Sequence, residues 1–222
     1  MKIFAVGMNY AQHNKEIKTA LLQQCASDEE GCRRYPVIFI MADSSLLKDG
    51  KPFFVPDFMG RIDYETEVVV RISRLGKGIP EQFAHRYYDA LTVGIDFTAR
   101  DLQKALREKG HPWDIAKGFD GAAVIGRWIE KEKLLTEMQQ KGKEAPAVNF
   151  HMLLNGEKVQ EGNTIEMLTG IDRLISYISR FFTLKTGDLL FTGTPAGVGP
   201  VKPDDHIEGF LENEKVLDFY CR

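Results

Sequence analysis

Two glutamates separated by a single residue, Glu65 and Glu67, open a valine-rich run in the chain. Side chains along a β-strand repeat their direction every second residue, so a strand here places both carboxylates on one face and Val68 and Val70 on the other. Two like charges on one face repel each other unless a cation binds both. The pair therefore predicts either a metal-binding strand or an acidic face in solvent, and for an isolated pair the solvated face is the more frequent case.

Asp96 supplies a third carboxylate further along the chain. It lies near the end of an apolar run, residues 90–97, that we predict to be a strand, and a helix is predicted directly after it at residues 98–109. The sheet holds a residue at a strand end, while the turn that follows leaves its side chain accessible. An all-oxygen ligand set favours a hard cation such as Mg²⁺, Mn²⁺ or Ca²⁺ over zinc. We therefore predict Glu65, Glu67 and Asp96 to be metal ligands.

The composition is that of a globular protein and argues against two classes of partner. With 222 residues, 43% of them hydrophobic, the chain can bury one substantial core, and we predict a single domain over residues 1–222. A formal net charge of −3 gives no general attraction to nucleic acid or to anionic lipid. No apolar stretch approaches the roughly eighteen residues of a membrane span, and the first residues turn polar too soon for a signal peptide. We expect a cytoplasmic protein that binds neither nucleic acid nor membrane.

Strand patterns dominate the first half of the chain. Apolar runs between turn residues predict further strands at residues 3–6, 36–41, 52–55, 63–72 and 189–192. Periodicity or capping residues predict a helix capped by Asn9, helices at 79–88 and 171–182, and a solvated helix or loop at 130–143. Asn155-Gly156 predicts a type I′ hairpin, because that turn needs positive φ at both central residues. We expect Cys25 and Cys32 to be reduced thiols, with a bridge between them as the alternative.

Several motifs together resemble one protein family, the fumarylacetoacetate hydrolase family, and in particular its short single-domain members of the acylpyruvase and oxaloacetate decarboxylase type. The motifs, in order, are Gly7-Met8-Asn9-Tyr10 with His13, Asp63-Tyr64-Glu65-Thr66-Glu67, Gly94 through Gln103, Lys117-Gly118-Phe119-Asp120, and Phe191 through Gly199. The resemblance implies an α+β, mainly β fold in which a mixed sheet forms a β-roll with peripheral helices, as in the C-terminal domain of fumarylacetoacetate hydrolase. It also implies a homodimer.

The resemblance implies roles for individual residues as well. Glu65, Glu67 and Asp96 would bind Mg²⁺ or Mn²⁺, in agreement with the strand argument, and Lys117 would reach the substrate. Arg100 is either a substrate ligand or the structural partner of a buried carboxylate, and both interpretations stay open. One turn further along the predicted helix, Gln103 would face the same pocket.

The glycine-rich turn after residue 191 has two interpretations. By resemblance, Thr192 and the backbone of Gly193 bind the substrate carboxylate, since glycine lets the main chain approach a ligand closely. The alternative is a tight turn that merely needs positive φ at Gly197 and Gly199. The missing Gly-Lys-Ser/Thr ending argues against a nucleotide-binding loop.

A histidine and a glutamate near the amino terminus carry the predicted mechanism. In acylpyruvate-cleaving relatives such a pair lies on a mobile helix and activates water, and the spacing of His13 and Glu16 would put them on one helix face. The resemblance implies a mobile lid at residues 13–35, which are longer here than in short relatives. A second departure is Phe39-Ile40-Met41-Ala42, where close relatives read phenylalanine, leucine, lysine, proline.

The expected substrate is a small 2-oxo acid. A bound divalent ion would stabilise an enolate, which is the charge that each reaction of the family develops. We expect C–C hydrolysis of acylpyruvates (2,4-dioxo acids), with decarboxylation of oxaloacetate as a further activity. The alternatives are isomerisation of a 2-hydroxyhepta-2,4-diene-1,7-dioate, a related hydratase or decarboxylase reaction on a dienoic acid, and a catalytically inert metal-binding scaffold.

Overall fold

The computed structural model describes residues 1–16, 36–47, 51–140 and 147–222, with only the backbone at residues 15–16 and 137–140. The strands are β1 (Ile3–Gly7), β2 (Val37–Met41), β3 (Ile62–Tyr64), β4 (Thr66–Ile72), β5 (Tyr88–Asp96), β6 (Thr98–Ala99), β7 (Ala123–Ile125), β8 (Ile129–Glu130), β9 (Asn149–Leu154), β10 (Glu157–Asn163), β11 (Leu189–Phe191), β12 (Gly199–Pro200), β13 (His206–Leu211) and β14 (Glu214–Tyr220). The α-helices are α1 (Ala11–Glu16), α2 (Glu81–Ala84), α3 (Arg100–Glu108), α4 (Asp114–Lys117), α5 (Lys131–Gln140) and α6 (Ile171–Phe181). In these ranges no helix is long and apolar enough to cross a membrane.

A curled mixed sheet forms the body of the molecule, with strand order β2-β1-β11-β4-β5-β7 and with β8 beside β5. The pair β1–β11 is parallel, whereas β4 runs antiparallel to both β5 and β11. A four-stranded sheet has the order β10-β9-β13-β14, and a small sheet has the order β12-β3-β6. The mainly β, mixed-sheet fold expected from the sequence is therefore confirmed.

The valines of β4 alternate between two apolar clusters, as the strand period requires. Val68 and Val70 pack in the cluster that contains Leu174 of α6. Val69 points the other way, into the cluster that contains Phe191. Because Glu67 is two residues before Val69, the carboxylate lies on the Val69 face of the sheet.

The end of β5 is fixed by a third apolar cluster. Ile95 and Phe97, on either side of Asp96, pack against Phe219 of β14, and the Phe97 ring stacks on Phe53 with 3.8 Å between centroids. Since neighbours along a strand point to opposite faces, this packing turns the Asp96 side chain away from the cluster and toward the glutamates.

The hairpin prediction is confirmed: Asn155 and Gly156 join β9 to β10 with φ of 53° and 83°. Three other predictions are wrong. The run at 52–55 forms no strand, since only Phe53 makes a bridge, to Cys221. The helix predicted at 79–88 is limited to α2, because Tyr88 already pairs with Ile72 in the sheet. The predicted strand at 63–72 is interrupted at Glu65, where the chain leaves the small sheet for the large one.

Most of the predicted lid segment, with Cys25 and Cys32, lies outside the described residues. The described part of that segment is its beginning, in α1, where the backbone of Glu16 ends the helix. The single domain, the lid and the state of the two cysteines therefore remain predictions.

Candidate metal centre

Three carboxylates meet where β4 and β5 lie side by side. Glu65 precedes β4, Glu67 is in β4 and Asp96 ends β5, and one oxygen from each lies within 4.8 Å of the others. The backbone N–H of Asp96 donates to the carbonyl of Glu65 over 2.9 Å, which locks the two strand ends together. The exposed fractions are 7% for Glu65 and 1% for both Glu67 and Asp96. The acidic face is therefore buried, and the solvated-strand alternative is excluded.

Lys117, the last residue of the short helix α4, donates into this cluster. Its ammonium nitrogen lies 2.9 Å from Glu65 Oε2, 2.5 Å from Asp96 Oδ2 and 2.7 Å from Thr98 Oγ1. Burial lowers the pKa of Lys117, but the charges of Asp96 and Glu65 outweigh burial and raise it, so the side chain is a buried ammonium ion.

Arg100, the first residue of α3, acts as the partner of buried carboxylates. Its guanidinium donates to Asp63 Oδ2 over 2.8 Å and to Glu65 Oε1 over 2.6 Å. A third N–H of Arg100 donates to Gln103 Oε1 over 2.8 Å. Of the two interpretations left open by the sequence, the geometry supports the structural one, because the side chain holds Glu65 in place.

The backbone of the glycine-rich turn is hydrogen-bonded to the Glu67 carboxylate. The N–H of Gly193 donates to Glu67 Oε2 over 2.7 Å, and the hydroxyl of Thr192 donates to the carbonyl of Val68 over 2.8 Å. Thr192 is fully buried. Both groups thus donate to the protein, and they position β4 and its carboxylate. The substrate contacts predicted for Thr192 and Gly193 remain predictions.

Two buried side-chain amides, those of Asn9 and Gln160, hydrogen-bond to this turn, and the sequence predicted this role for neither. Asn9 was expected to cap α1, but its side-chain amide donates to the carbonyls of Thr169 and Thr192 over 3.0 and 2.8 Å and its oxygen accepts from Thr169 N–H. Gln160 accepts from Thr66 N–H over 2.9 Å and donates to Thr194 Oγ1 over 3.0 Å. Asn9 stood in a recognised motif, whereas nothing in the sequence around Gln160 marks it.

The three carboxylates differ in how their charge is compensated. Although burial raises the pKa of Glu65, the charges of Lys117 and then Arg100 hold it well below its ordinary value. Burial and the charge of Asp96 raise the pKa of Glu67. Burial, opposed by Lys117 and reinforced by Glu65, raises the pKa of Asp96 to about 7. The ionised forms of Glu67 and Asp96 are therefore less well compensated than that of Glu65.

This donor set fits a divalent cation. Asp96 Oδ1 is buried and has no hydrogen-bond partner among the described residues, which is costly unless another ligand takes the lone pair. The three candidate ligand atoms are all carboxylate oxygens, the type that Mg²⁺ and Mn²⁺ prefer. Glu65, Glu67 and Asp96 would hold the ion, and its charge would remove the repulsion that raises the pKa of Glu67 and Asp96.

A narrow cavity of about 30 Å³ opens onto the cluster. It is lined by Val6, Gly7, Met8, His13, Phe39, Glu65, Asp96, Arg100, Gln103, Arg107, Trp113 and Lys117. The predicted residues His13, Gln103 and Lys117 thus line the same cavity as Glu65 and Asp96. His13 is 3% exposed. The side chain of Glu16 lies outside the described part of the chain, so the histidine–glutamate pair remains a prediction.

A second group with metal-binding residue types, His206, Glu208 and Asp218, lies on β13 and β14. Here the ammonium of Lys215 donates to Glu208 Oε1 over 3.1 Å and to Asp218 Oδ2 over 2.6 Å. His206 Nε2 lies 2.7 Å from Asp218 Oδ1. These partners already satisfy the carboxylates, so we interpret the group as a surface ion-pair network.

Comparison with known proteins gives consistent matches over almost the whole chain. The family model for the fumarylacetoacetate (FAA) hydrolase C-terminal domain matches residues 2–217. The chain is 34% identical over 217 residues to the mitochondrial oxaloacetate tautomerase FAHD1 of Mus musculus, covering 98% of this chain and 90% of that one. It is 36% identical over 208 residues to the mitochondrial oxaloacetate decarboxylase of Dictyostelium discoideum, covering 93% and 87%. The crystal structure of fumarylpyruvate hydrolase from Pseudomonas aeruginosa in complex with Mn²⁺ and pyruvate superposes with a TM-score of 0.83 at 31% identity, covering 100% of this chain and 89% of that one.

Proposed function

The chain belongs to the fumarylacetoacetate hydrolase family, and we propose that it is a divalent-metal-dependent enzyme that cleaves the C–C bond of acylpyruvates. The observation that carries this proposal is the buried cluster of Glu65, Glu67 and Asp96, with one oxygen of Asp96 unpartnered among the described residues. Glu65 and Asp96 line a cavity that His13 also lines. Enzyme relatives support the proposal, and one of them was crystallised with Mn²⁺ and pyruvate.

A divalent ion bound by the three carboxylates would stabilise the enolate charge that develops on a 2-oxo acid. The residues of the chain would supply the other functions. Lys117, held among Glu65, Asp96 and Thr98, keeps a positive charge beside the cluster. Arg100 and Gly193 hold Glu65 and Glu67 in position, so that the carboxylates need not reorganise during the reaction.

His13 is the proposed general base. Its imidazole would take a proton from water, and the hydroxide would add to the distal carbonyl carbon of a 2,4-dioxo acid. The bond between that carbon and C3 then breaks, and its electron pair stays on C3. Return of the proton from His13 to C3 completes the reaction, which converts one acylpyruvate and one water into pyruvate and a carboxylic acid.

Oxaloacetate is the substrate of the second candidate reaction. Decarboxylation or keto–enol conversion of oxaloacetate passes through the same type of enolate and needs no attacking water. The specific support for this candidate is the 34% and 36% identity to an oxaloacetate tautomerase and an oxaloacetate decarboxylase. Since the two candidates share the metal-binding half of the substrate, the contacts described above do not separate them.

Pyruvate release from acetylpyruvate and oxaloacetate, measured with Mn²⁺ and with EDTA, separates the candidates. Hydrolysis predicts Mn²⁺-dependent pyruvate from acetylpyruvate, and replacing His13 with Gln should lower its rate at least ~100-fold while Mn²⁺ still binds. Exposed His85 provides the control, and His85→Gln should match the wild type. Loss of enol absorbance from oxaloacetate without pyruvate would indicate tautomerisation instead. Absence of turnover with either compound would reject both candidates and favour an inert scaffold.

A further inference from the structure

The turn after β1 contains a residue in an unusual backbone conformation. Met8 has a φ of 62°, in the left-handed region that favours glycine and is costly for a residue with a long side chain. β1 ends directly before it, at Gly7, and α1 begins shortly after it, at Ala11. The conformation of Met8 therefore sets the direction in which the chain leaves the sheet and enters α1.

The chain after Met8 is fixed to the core through Asn9. The side-chain amide of Asn9 donates to the carbonyls of Thr169 and Thr192, and its backbone carbonyl accepts from Leu168 N–H over 2.8 Å. By contrast, α1 is only six residues long, and so short a helix is not stable without bonds to the rest of the protein. The position of α1 therefore depends on contacts that link it to this turn.

Asn14 of α1 makes such a contact. Its side-chain Nδ2 donates to the carbonyl of Met8 over 3.0 Å. Only the nitrogen of the amide can donate to a carbonyl, so this bond also fixes the orientation of the amide group. The other end of the amide, Asn14 Oδ1, is buried and has no hydrogen-bond partner among the described residues. A buried amide that is only half satisfied costs stability, which indicates that the residue has another role.

His13 is the neighbour of Asn14 on α1. It is buried and lines the same cavity as Glu65 and Asp96. The helical backbone fixes adjacent residues relative to each other, so a bond that ties Asn14 to the turn also limits the movement of His13. We propose that Asn14 is a positioning residue, whose bond to the Met8 carbonyl keeps His13 in the cavity. The consequence for catalysis rests on the proposed function, in which His13 is the general base.

Chemical modification of the histidines tests this placement independently of activity. Diethyl pyrocarbonate acylates accessible imidazoles, and peptide mass spectrometry gives the rate at each histidine. In the wild type we expect buried His13 to react much more slowly than exposed His85. Asn14→Leu keeps the size of the side chain but removes the donor, so it should raise the rate at His13 about 3- to 10-fold, the effect of one hydrogen bond. The rate at His85 should stay the same.

Two further variants separate the hydrogen bond from packing. Gln12→Ala, which changes an exposed residue of the same helix, is the control and should match the wild type. Asn14→Ala should raise the rate at His13 as Asn14→Leu does. A rise in Asn14→Ala but not in Asn14→Leu would mean that Asn14 only fills space, and it would overturn the inference. So would an equal rise at half-buried His151, which would assign Asn14 to the stability of the whole fold.

Turnover then distinguishes this inference from the proposed function. If His13 is the general base, Asn14→Leu should lower kcat for acetylpyruvate about 3- to 10-fold with little change in KM or in the Kd for Mn²⁺. In a His13→Gln background the same substitution should have no further effect, because the group that it positions is gone. An equal loss in that background would overturn the inference. Greater exposure of His13 in Asn14→Leu, together with a wild type that does not hydrolyse acetylpyruvate, would contradict the proposed function alone.

Discussion

At the scale of single residues, the three candidate ligands share a chemical type but differ in environment. Glu65 accepts from both Arg100 and Lys117, which stabilise its charge. Glu67 accepts from the neutral N–H of Gly193, and one oxygen of Asp96 accepts from no described group. The sequence could predict which residues carry the carboxylates, but it could not predict this difference, because the compensating groups come from α3, α4 and a distant turn.

Replacing Glu67 with Gln tests the least compensated ligand. The amide keeps the shape of the side chain but removes the charge, so we expect Mn²⁺ affinity to fall at least ~100-fold in a calorimetric titration. Burial and the charge of Asp96 destabilise an ionised Glu67 and so raise its pKa. A neutral glutamine avoids that cost, so the metal-free variant should be more stable than the metal-free wild type. Exposed Glu132→Gln is the control. An affinity for Mn²⁺ equal to that of wild type would contradict the assignment.

The pH dependence of metal binding follows from Asp96. Its pKa is raised from 3.8 to about 7, chiefly by burial, so protons compete with the ion below that value. We expect the Kd for Mn²⁺ to fall by about tenfold or more per pH unit as pH rises toward 7, since Glu67, whose pKa is also raised, adds to the competition. In the metal-free protein a raised carboxyl pKa acts in the opposite direction: stability from Asp96 is greatest below pH 3.8 and is lost as pH rises to about 7. Titrations monitored by Mn²⁺ spin resonance would show the first trend, and a Kd independent of pH would contradict it.

At the scale of elements, hydrogen bonds from Thr192 and Gly193 hold the glycine-rich turn against the start of β4. Gly193 has a φ of 96°, and an added Cβ would lie 2.7 Å from the Cβ of Asn9 and 3.1 Å from the carbonyl of Val6. The sequence predicted that glycine is needed here for close approach, and the structure shows the approach is to the protein's own backbone and to Asn9. The break of the strand at Glu65 could not be predicted, since the chain stays extended on both sides while it changes sheets.

Substituting Ala for Gly193 should therefore affect both stability and metal binding. The strained φ and the contact with Asn9 should lower the free energy of unfolding by about 1–3 kcal/mol. Displacement of the N–H that holds Glu67 should weaken Mn²⁺ binding about 10- to 100-fold. Gly170→Ala is the control, since an added Cβ there meets no atom within 4 Å. Urea unfolding with and without Mn²⁺ measures both effects, and equal behaviour of the two variants would show that the turn does not position Glu67.

At the scale of the whole molecule, strand order brings together residues that are far apart in sequence. β4 lies between β5 and β11, so Glu67, Asp96 and the turn after β11 become neighbours. The motifs and their order along the chain were enough to predict the family and the mainly β fold. The carboxyl-terminal hairpin of β13 and β14 was not predicted, although β13 alternates between buried and partly buried residues. The homodimer and the cytoplasmic location remain predictions.

Metal binding should stabilise the entire fold, because the ligands come from two strands at the centre of the main sheet. At a Mn²⁺ concentration 100 times its Kd the stabilisation is about 2.7 kcal/mol, which corresponds to a rise in Tm of about 5–10 °C for a chain of this size. Thermal melts with Mn²⁺ and with EDTA measure the shift. The Glu67→Gln variant should show little or no rise, and an equal rise in that variant would place the stabilising ion elsewhere.

The most direct test of the metal centre is a crystal structure of the protein grown with Mn²⁺, with anomalous scattering recorded at the manganese edge. We expect one strong peak within about 2.0–2.6 Å of a carboxylate oxygen from each of Glu65, Glu67 and Asp96. Asp96 Oδ1, which has no hydrogen-bond partner among the described residues, should be one of these oxygens. A manganese peak elsewhere, with the three carboxylates still bound only to Lys117, Arg100 and the Gly193 N–H, would contradict the assignment.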